Sequence, residues 1–318
     1  MSRFQLQVTV PDELAGKRLD QALSSLCPEH SRSRIQSWIK SGDVSVNNIN
    51  YKQRDEVSSG DVIAIDTKLQ TIDKYEAENI NLDIIYEDND IIIINKPVGL
   101  VVHPGAGNPN HTLVNALLNF DNTLEEIPRA GIIHRLDKDT TGVMVVARTL
   151  ESHTFLVKRL QERVIKREYQ TVVCGQIIAG GSIENKMGRH PVHRTKMAVT
   201  SSGKVATTHY KVIKKFQHYT HLHVQLETGR THQIRVHMSH IKHPVIGDPV
   251  YGHNKSIRKG VDSLLREIIT NFKRQALHAF SLELPHPSTD QKIKFTAELP
   301  EDMIVLIEGL NKYDQAEK

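Results

Sequence analysis

A polar segment at residues 67–81 divides this chain and sets the strongest limit on its fold. Upstream, residues 16–66 combine apolar positions at helical spacing, such as Leu19 and Leu23, with short strand-like runs such as Val62–Ile65, a pattern typical of a small α+β module. A chain of 318 residues also exceeds the usual size of one compact core, so two domains are expected. We therefore predict a small domain at residues 16–66, a linker at 67–81 and a large domain at 82–318.

Strand-like runs dominate residues 82–318. Apolar side chains cluster at Ile91–Asn95 and Val143–Ala147, and they alternate with polar ones at Leu222–Leu226. Helical spacing occurs between them, as at Leu150–Arg163, but without a regular alternation of strand and helix. This order favours a mixed or antiparallel sheet with helices around it, so the predicted fold class is α+β.

The composition predicts a cytoplasmic protein without a membrane segment. The start, MSRFQLQVTV, lacks the basic residues and apolar run of a secretory signal. About 18 uncharged apolar residues in succession, the minimum for a membrane helix, occur nowhere in the chain. The two cysteines, Cys27 and Cys174, lie far apart and form no disulfide framework, which fits a reducing compartment.

Positive charge is concentrated in one part of the chain. Between Glu151 and Lys215 there are 13 Lys and Arg residues against 4 Asp and Glu, although the whole chain carries a net charge of only +4. Such asymmetry is typical of a face that binds a polyanion. A solvated basic surface explains the same count, so charge alone leaves both interpretations open.

A basic cluster in the small domain contains Arg32, Arg34 and Lys40. Arginines near a helix start can bind phosphate oxygens, although a solvated helix face is the alternative. The order GKRLDQAL, SRSRIQSWIKSGDVSVNN and GDVIAI resembles the S4 RNA-binding domain over about 50 residues. This resemblance implies that Arg32, Arg34 and Lys40 contact RNA through its backbone and shape.

The sequence HRLDKDTTG at 134–142 places two carboxylates and several hydrogen-bond donors directly before an apolar strand. Asp139 and the threonines are compatible with ordinary turn or cap positions. Asp137 follows apolar Leu136, and a carboxylate there needs a cationic partner to stay ionised. From these residues alone, a structural salt bridge and a catalytic acid both remain open for Asp137.

The sequence LETGRTHQIR at 226–235 turns from a strand into a helix and carries Arg230 and Arg235 near the helix start. Histidines are frequent here, and His237 and His240 can share a helix face. A metal-dependent hydrolase is therefore one rival function. The chain has no HExxH arrangement and no clear third ligand, so we predict no metal.

Five motifs in order resemble the RluA-type pseudouridine synthases over nearly the whole chain. They are KPVGLVVHPG at 96–105, HRLDKDTTG at 134–142, REYQTVV at 167–173, LETGRTHQIRVHM at 226–238 and HPVIGDPVYG at 243–252. The N-terminal S4 domain is characteristic of one branch of that family. One departure is His111, where the family pattern has glycine, and we expect it to affect a turn and not the chemistry.

The resemblance also implies the residues of the active site. Asp137 matches the catalytic aspartate, Tyr169 the tyrosine that stacks on the target uracil, and Arg230 the arginine that pairs with the aspartate. Leu226 matches an apolar position at the base, and Arg135 an arginine that holds the RNA with its target nucleotide flipped out. Two neighbours in the HRLDKDTTG loop, His134 and Thr141, are further predicted substrate-binding residues.

Pseudouridine formation breaks the N1–C1′ bond of uridine, rotates the uracil and joins C5 to C1′. No electron or group is gained or lost, so no cofactor is predicted, which agrees with the absence of a GxGxxG or P-loop motif. Asp137 can serve as nucleophile at C1′ or as base for the 2′ proton, and the sequence does not choose between them.

The implied substrate is large-subunit ribosomal RNA, in the helix 69 stem-loop that bridges to the small subunit. Another large-subunit site is an alternative, because related enzymes with the same S4 arrangement modify other sites. A non-catalytic RNA-binding assembly factor is a rival, although such a protein need not keep Asp137, Tyr169 and Arg230 together. A monomer is expected.

Overall fold

The computed structural model of the protein describes residues 3–28, 30, 32–68, 75–105, 107–252 and 263–316. The chain divides into two compact units, Met1–Lys74 and Tyr75–Lys318, called here the small unit and the large unit. The division falls within the segment predicted to be a linker. No helix among the described residues is long and apolar enough to cross a membrane.

The small unit is a three-stranded antiparallel sheet with two helices. Its elements are β1 (Arg3–Thr9), α1 (Leu19–Leu26), α2 (Arg32–Ser41), β2 (Val44–Val46) and β3 (Val62–Lys68). β3 lies between β1 and β2. Leu19 and Leu23 of α1 lie one turn apart and pack in one core with Trp38 of α2, as the helical spacing predicts.

The small unit begins earlier than the predicted boundary at residue 16. β1 pairs with β3 along its whole length, from Arg3 opposite Lys68 to Thr9 opposite Val62. Its apolar residues Phe4, Leu6 and Val8 alternate with polar ones and pack against the core of the small unit. The prediction missed this strand because the boundary at residue 16 was placed from the helical spacing of α1 alone.

A buried carboxylate ties α1 to α2 in the small unit. Asp20 accepts hydrogen bonds from Arg18 at 3.0 and 3.1 Å, from Arg32 at 2.9 Å and from Gln36 at 2.7 Å. Burial alone would raise the pKa of Asp20, but the bonds from Arg32 and Gln36 lower it below its usual value. Arg32, predicted to bind RNA, therefore also holds the two helices together.

We expect Asp20→Asn to lower the unfolding free energy of the small unit by about 1–3 kcal/mol at pH 7, because charged hydrogen bonds are lost. The pKa of Asp20 is lowered on folding, so its contribution is full above the unfolded pKa of about 3.9 and disappears as pH falls through the folded value. Urea unfolding followed by the fluorescence of Trp38, the single tryptophan, measures this. The exposed Glu13→Gln is the control, and an equal loss in both variants would contradict the prediction.

The large unit contains ten strands and five helices among its described residues. The elements are β4 (Ile84–Glu87), β5 (Ile91–Lys96), α3 (Leu113–Phe120), β6 (Thr141–Ala147), α4 (Leu150–Gln161), β7 (Lys166–Cys174), β8 (Gly181–Arg189), β9 (Met197–Val199), β10 (Lys204–Lys215), β11 (Tyr219–Leu226), α5 (Gln233–His240), α6 (Ser263–Asn271), β12 (Leu277–Pro285), β13 (Lys292–Thr296) and α7 (Glu301–Ala316). The strands form one sheet in the order β4-β5-β6-β12-β7-β11-β10-β8-β9, and β13 pairs with β12.

One parallel contact makes this sheet mixed. β6 and β12 run parallel, with His278 opposite Thr141, whereas the other strand pairs are antiparallel. Gly142 allows the close approach, since it has φ +114° and a Cβ there would lie 2.2 Å from the carbonyl oxygen of Ala279. The predicted α+β class with a mixed sheet is confirmed.

The last part of the predicted linker belongs to the large unit. The side chain of Asn115 donates to the carbonyl of Glu76 at 2.8 Å, and Glu78 accepts from the backbone N–H of His111 at 2.8 Å. His111 itself has φ +57°, a conformation that favours glycine, so this departure from the family pattern does lie in a turn. Polarity alone concealed these contacts, which fix residues 76–78 in place.

Candidate active site

A cavity of about 760 Å³ opens on the large unit. Much of its wall comes from the loop before β6, from β7, and from the turn that joins β11 to α5. The side chains that line it include Arg135, Asp137, Tyr169, Leu226, Arg230 and Arg235. The volume suits a ligand of nucleotide size.

Asp137 lies at the end of the loop that leads into β6, where the amide of Thr140 donates to its carbonyl oxygen at 3.0 Å. Its carboxylate is 15% exposed, and Oδ2 accepts a hydrogen bond from Nη1 of Arg235 at 2.8 Å. Among the described residues Oδ1 has no hydrogen-bond donor within reach; His232 Nε2 lies 3.8 Å away. The carboxylate is therefore ion-paired on one oxygen and available to a ligand on the other.

Arg235 connects Asp137 to a second carboxylate, that of Asp248. Its Nε and Nη2 atoms donate to Asp248 at 2.7 and 2.9 Å, and its side chain is only 5% exposed. Burial alone would lower the pKa of Arg235, but Asp248 and Asp137 raise it above its usual value. Asp248 is fixed in turn by the backbone N–H groups of Val250 and Tyr251, at 2.8 and 3.0 Å. The guanidinium is thus held rigidly against Asp137.

The predicted pairing of Arg230 with Asp137 is wrong. Arg230 lines the cavity, but its only hydrogen bond from the side chain among the described residues is a long one, 3.5 Å from Nε to the carbonyl of Val205. Arg230 lies in the exposed turn before α5, whereas Arg235 lies inside the helix on its buried side. Sequence spacing left both arginines near the helix start, and only the burial of α5 selects Arg235.

Tyr169 and Leu226 form the apolar side of the cavity. They belong to the neighbouring antiparallel strands β7 and β11, where Val224 pairs with Tyr169 and Leu226 with Arg167. Tyr169 is 6% and Leu226 7% exposed. Burial raises the pKa of Tyr169, so its phenol stays neutral. A neutral ring opposite a carboxylate is a suitable surface for stacking a base.

Known proteins match both units. Residues 17–63 match the S4 domain, and residues 90–240 match the RNA pseudouridylate synthase family. The chain is 51% identical over 310 residues to the ribosomal large subunit pseudouridine synthase D of Yersinia pestis, covering 97% of this chain and 95% of that one. The corresponding protein of Pseudomonas aeruginosa is 50% identical over 313 residues, covering 98% of each chain.

This chain belongs to the RNA pseudouridylate synthase family. Its predicted activity class, an isomerase that forms pseudouridine, is confirmed by this membership. Solved structures agree in fold: Human RNA Pseudouridylate Synthase Domain Containing 4 superimposes with a TM-score of 0.57 at 24% identity, covering 72% of this chain and 93% of its own.

Two residues of the HRLD sequence lie in the synthase's cavity wall as predicted. Arg135 is exposed at the rim. His134 accepts a hydrogen bond on Nε2 from the backbone of Val145 at 3.2 Å, and burial lowers its pKa to about 3. The neutral ring therefore carries its proton on Nδ1, a buried atom without a partner among the described residues.

Thr141 does not line the synthase's cavity, contrary to the prediction; Thr140 does. The hydroxyl of Thr141 bonds to Nδ1 of His278 at 2.8 Å, and Nε2 of that ring bonds to the carbonyl of Ala297 at 3.1 Å. Because a carbonyl only accepts, His278 donates through Nε2 and accepts on Nδ1 from Thr141. Thr141 begins β6 directly opposite His278 of the neighbouring strand β12, so its hydroxyl is taken up by that histidine.

We expect Thr141→Val to lower the unfolding free energy by about 1–2 kcal/mol while leaving kcat unchanged. The substitution keeps the shape of the side chain but leaves the buried Nδ1 of His278 without a donor. Urea unfolding and turnover of the same preparations measure the two effects. A fall in kcat with unchanged stability would instead support the predicted substrate contact.

Sequence analysis missed Lys96, which supports the loop of Asp137 in the synthase. Its side chain is fully buried, and Nζ donates to the carbonyls of Pro97, Leu100 and Lys138 at 2.7–2.9 Å. Burial lowers the pKa of Lys96 to about 7. Because Lys138 directly follows Asp137, the bond from Lys96 to the carbonyl of Lys138 fixes the backbone beside the carboxylate of Asp137. A lysine at the end of the apolar strand Ile91–Ile94 was the available signal.

His232 was also missed, although it lies within the GRTHQIR sequence. It precedes α5 with φ +56°, and its Nδ1 is 2.8 Å from the hydroxyl of Tyr251. That hydroxyl also accepts from the backbone N–H of Met197 at 2.9 Å, so Tyr251 connects His232 to β9. The other ring nitrogen of His232, Nε2, lies 3.8 Å from Oδ1 of Asp137.

The predicted RNA-binding residues of the synthase's small unit lie on α2. Arg32 and Lys40 are exposed, and Arg34 is half-buried. Arg32 donates a hydrogen bond to Asp20 from one nitrogen, while its side chain remains 51% exposed. All three stay proposed RNA contacts.

Of the two histidines considered for a rival metal-dependent function, His237 already has a hydrogen-bond partner. His237 is buried with Nδ1 2.9 Å from the hydroxyl of Thr208. In the described part of the chain, one group has metal-ligand spacing, namely Asp88, Asp90 and His286, and it lies outside the cavity wall. Both carboxylates of this group already have hydrogen-bond partners. Asp88 bonds to Tyr86 and His286, and Asp90 accepts from two serine hydroxyl groups.

Proposed function

We propose that this synthase isomerises uridines of large-subunit ribosomal RNA to pseudouridine in the cytoplasm, as a monomer without metal or cofactor. The observation that carries the proposal is the carboxylate of Asp137, ion-paired to Arg235 in a cavity that also exposes Tyr169. Relatives at about half identity over nearly the whole chain are named for large-subunit ribosomal RNA, which supports this substrate class.

Asp137 is the proposed catalytic residue. Arg235 is paired with one oxygen of its carboxylate, and the oxygen that Arg235 leaves open can act on the ribose, either at C1′ or on the 2′ proton. After the N1–C1′ bond breaks, the uracil rotates, C5 joins C1′, and the proton of C5 leaves as N1 gains one. The reaction is balanced without an oxidant or a second substrate.

Base flipping is the proposed route of the uridine into the cavity. Extrusion from a helix costs a few kcal/mol, and stacking on Tyr169 returns about 1–3 kcal/mol. Leu226 supports the same apolar wall, His134 lies in the cavity wall as a proposed substrate contact, and Arg135 at the rim holds the RNA from which the nucleotide has left. Arg230, exposed beside the cavity, is a proposed contact to RNA and not the partner of Asp137.

The proposed target is the helix 69 stem-loop, with another large-subunit site as the alternative. The test uses stem-loop RNA carrying tritium at uracil C5, together with total ribosomal RNA that lacks the modification, and no added metal or cofactor. Release from the stem-loop is the expected result. Release from total RNA alone would move the site, and release from neither would favour a non-catalytic RNA-binding protein.

A further inference from the structure

Arg167 is a buried arginine in the cavity wall that the reaction described so far does not use. It lies on β7 two residues before Tyr169, so both side chains project from the same face of the strand. The residue is 7% exposed, and it lines the cavity together with Tyr169 and Asp137.

The guanidinium of Arg167 is poorly satisfied. One nitrogen, Nη2, donates to the carbonyl of Glu227 at 3.3 Å, and Nε is buried without a partner among the described residues. No carboxylate of the described chain lies within 4.0 Å of it, whereas the two other buried arginines have one: Arg235 pairs with Asp248, and Arg274 with Asp302 at 2.6 Å. Burial also lowers the pKa of Arg167.

The fold keeps space for this cation. Gly229 lies in the turn after β11, and a Cβ at that position would lie 2.5 Å from Nη1 of Arg167. A side chain there would displace the guanidinium from the cavity wall. The turn is therefore built around a buried positive charge that has no negative partner among the described residues.

The carboxylates near the cavity are already engaged. Asp137 is paired with Arg235, and Glu227 lies 2.9 Å from Arg163 and 2.6 Å from His209. A buried cation without a counter-charge is unfavourable, so the missing anion is expected to arrive with the ligand. Uracil is neutral, but each nucleotide of RNA carries a phosphate that an arginine binds strongly.

We propose that Arg167, in the space left by Gly229, binds a phosphate group that flanks the target uridine. Two residues of a strand span about 6.5–7 Å, so a base stacked on Tyr169 places a phosphate of the same nucleotide within reach of Arg167. This subsite rests on the proposed function. It fixes the nucleotide by its backbone, independently of the surrounding sequence.

The test is a double-mutant cycle that combines a substitution in the protein with the removal of one phosphate charge in the RNA. The RNA is the shortest synthetic stem-loop that the wild-type enzyme modifies at one uridine, with either flanking phosphate replaced by an uncharged methylphosphonate. We expect Arg167→Gln to lower kcat/KM on the natural RNA roughly 10- to 100-fold, the range of a charged hydrogen bond. On one of the two methylphosphonate RNAs, wild type and variant should become nearly equal. Equal ratios on all three RNAs would overturn the proposal.

Matched variants separate binding from folding. Gly229→Ala keeps the arginine but should show the same pattern: a loss on the natural RNA that nearly disappears on one methylphosphonate RNA. This variant tests the phosphate subsite if Arg167→Gln does not fold. Lys166→Gln is the control, since Lys166 lies on the opposite face of β7 and pairs with Glu283 at 2.8 Å; it should keep the wild-type ratio between RNAs. Kd is measured for the same proteins and RNAs, so the phosphate subsite can be tested even without turnover. If the wild type is inactive, the proposed function is rejected. If the protein and RNA changes have additive effects on the binding free energy, the phosphate subsite is rejected.

Discussion

Asp137→Asn is expected to lower kcat/KM for pseudouridine formation by at least roughly 10³-fold, the loss typical of removing a group that acts on the reacting atoms. Asparagine keeps the size of the side chain and a contact to Arg235, but it is neither a nucleophile nor a base. Release of tritium from C5-labelled RNA under single-turnover conditions measures the chemical step.

Asp139→Asn is the matched control for this prediction. Asp139 lies in the same loop two residues away, but its side chain does not line the cavity. We expect this variant to retain most of the wild-type rate. Normal turnover by Asp137→Asn would end its assignment as the catalytic residue, and equal losses in both variants would indicate damage to the loop instead.

Arg235→Met is expected to lower the unfolding free energy of the large unit by about 3–5 kcal/mol at pH 7 and to abolish turnover. The substitution leaves the fully buried carboxylate of Asp248 and the nearly buried one of Asp137 without a cation. The pKa of Asp248 is lowered by Arg235 in the wild type, so this stabilisation is present above the unfolded carboxyl pKa and is lost as pH falls through the folded value. The deficit of the variant should therefore shrink only as pH falls below the unfolded carboxyl pKa of about 3.9 and approaches the folded value of Asp248.

Arg230→Met distinguishes the two arginines. Arg230 is exposed and has no carboxylate partner among the described residues, so its loss should change the unfolding free energy by less than about 0.5 kcal/mol. Urea unfolding followed by circular dichroism measures both variants. A larger destabilisation by Arg230→Met than by Arg235→Met would restore the pairing predicted from the sequence.

Local sequence signals were sufficient for much of the fold. The spacing of Leu19 and Leu23 predicted α1, and the lack of regular strand–helix alternation predicted the mixed sheet. Polarity was a weaker guide, because residues 76–78 are polar yet bond to the large unit through Asn115 and His111. Strand β1 was missed since its partner, β3, lies more than fifty residues away in sequence.

The candidate site was predictable where one motif carries one chemistry. Asp137, Tyr169 and Leu226 were selected from motifs, and all three line one cavity. The choice between Arg230 and Arg235 depends on the packing that buries α5 and leaves the turn before it exposed, and the choice between Thr140 and Thr141 depends on where β6 begins. Motif spacing contains neither fact, because each is decided by packing against distant strands.

The parallel contact of β6 with β12 has a consequence for the synthesis of the protein. The small unit's core is complete once Lys68 has been added, so it can fold while the rest of the chain is still being translated. The loop of Asp137 needs Arg235, 98 residues later, and Thr141 needs His278, 137 residues later. A nascent chain therefore carries a folded S4 domain well before it can assemble an active site. Any truncation before β12 leaves a chain with the S4 domain but without the active site.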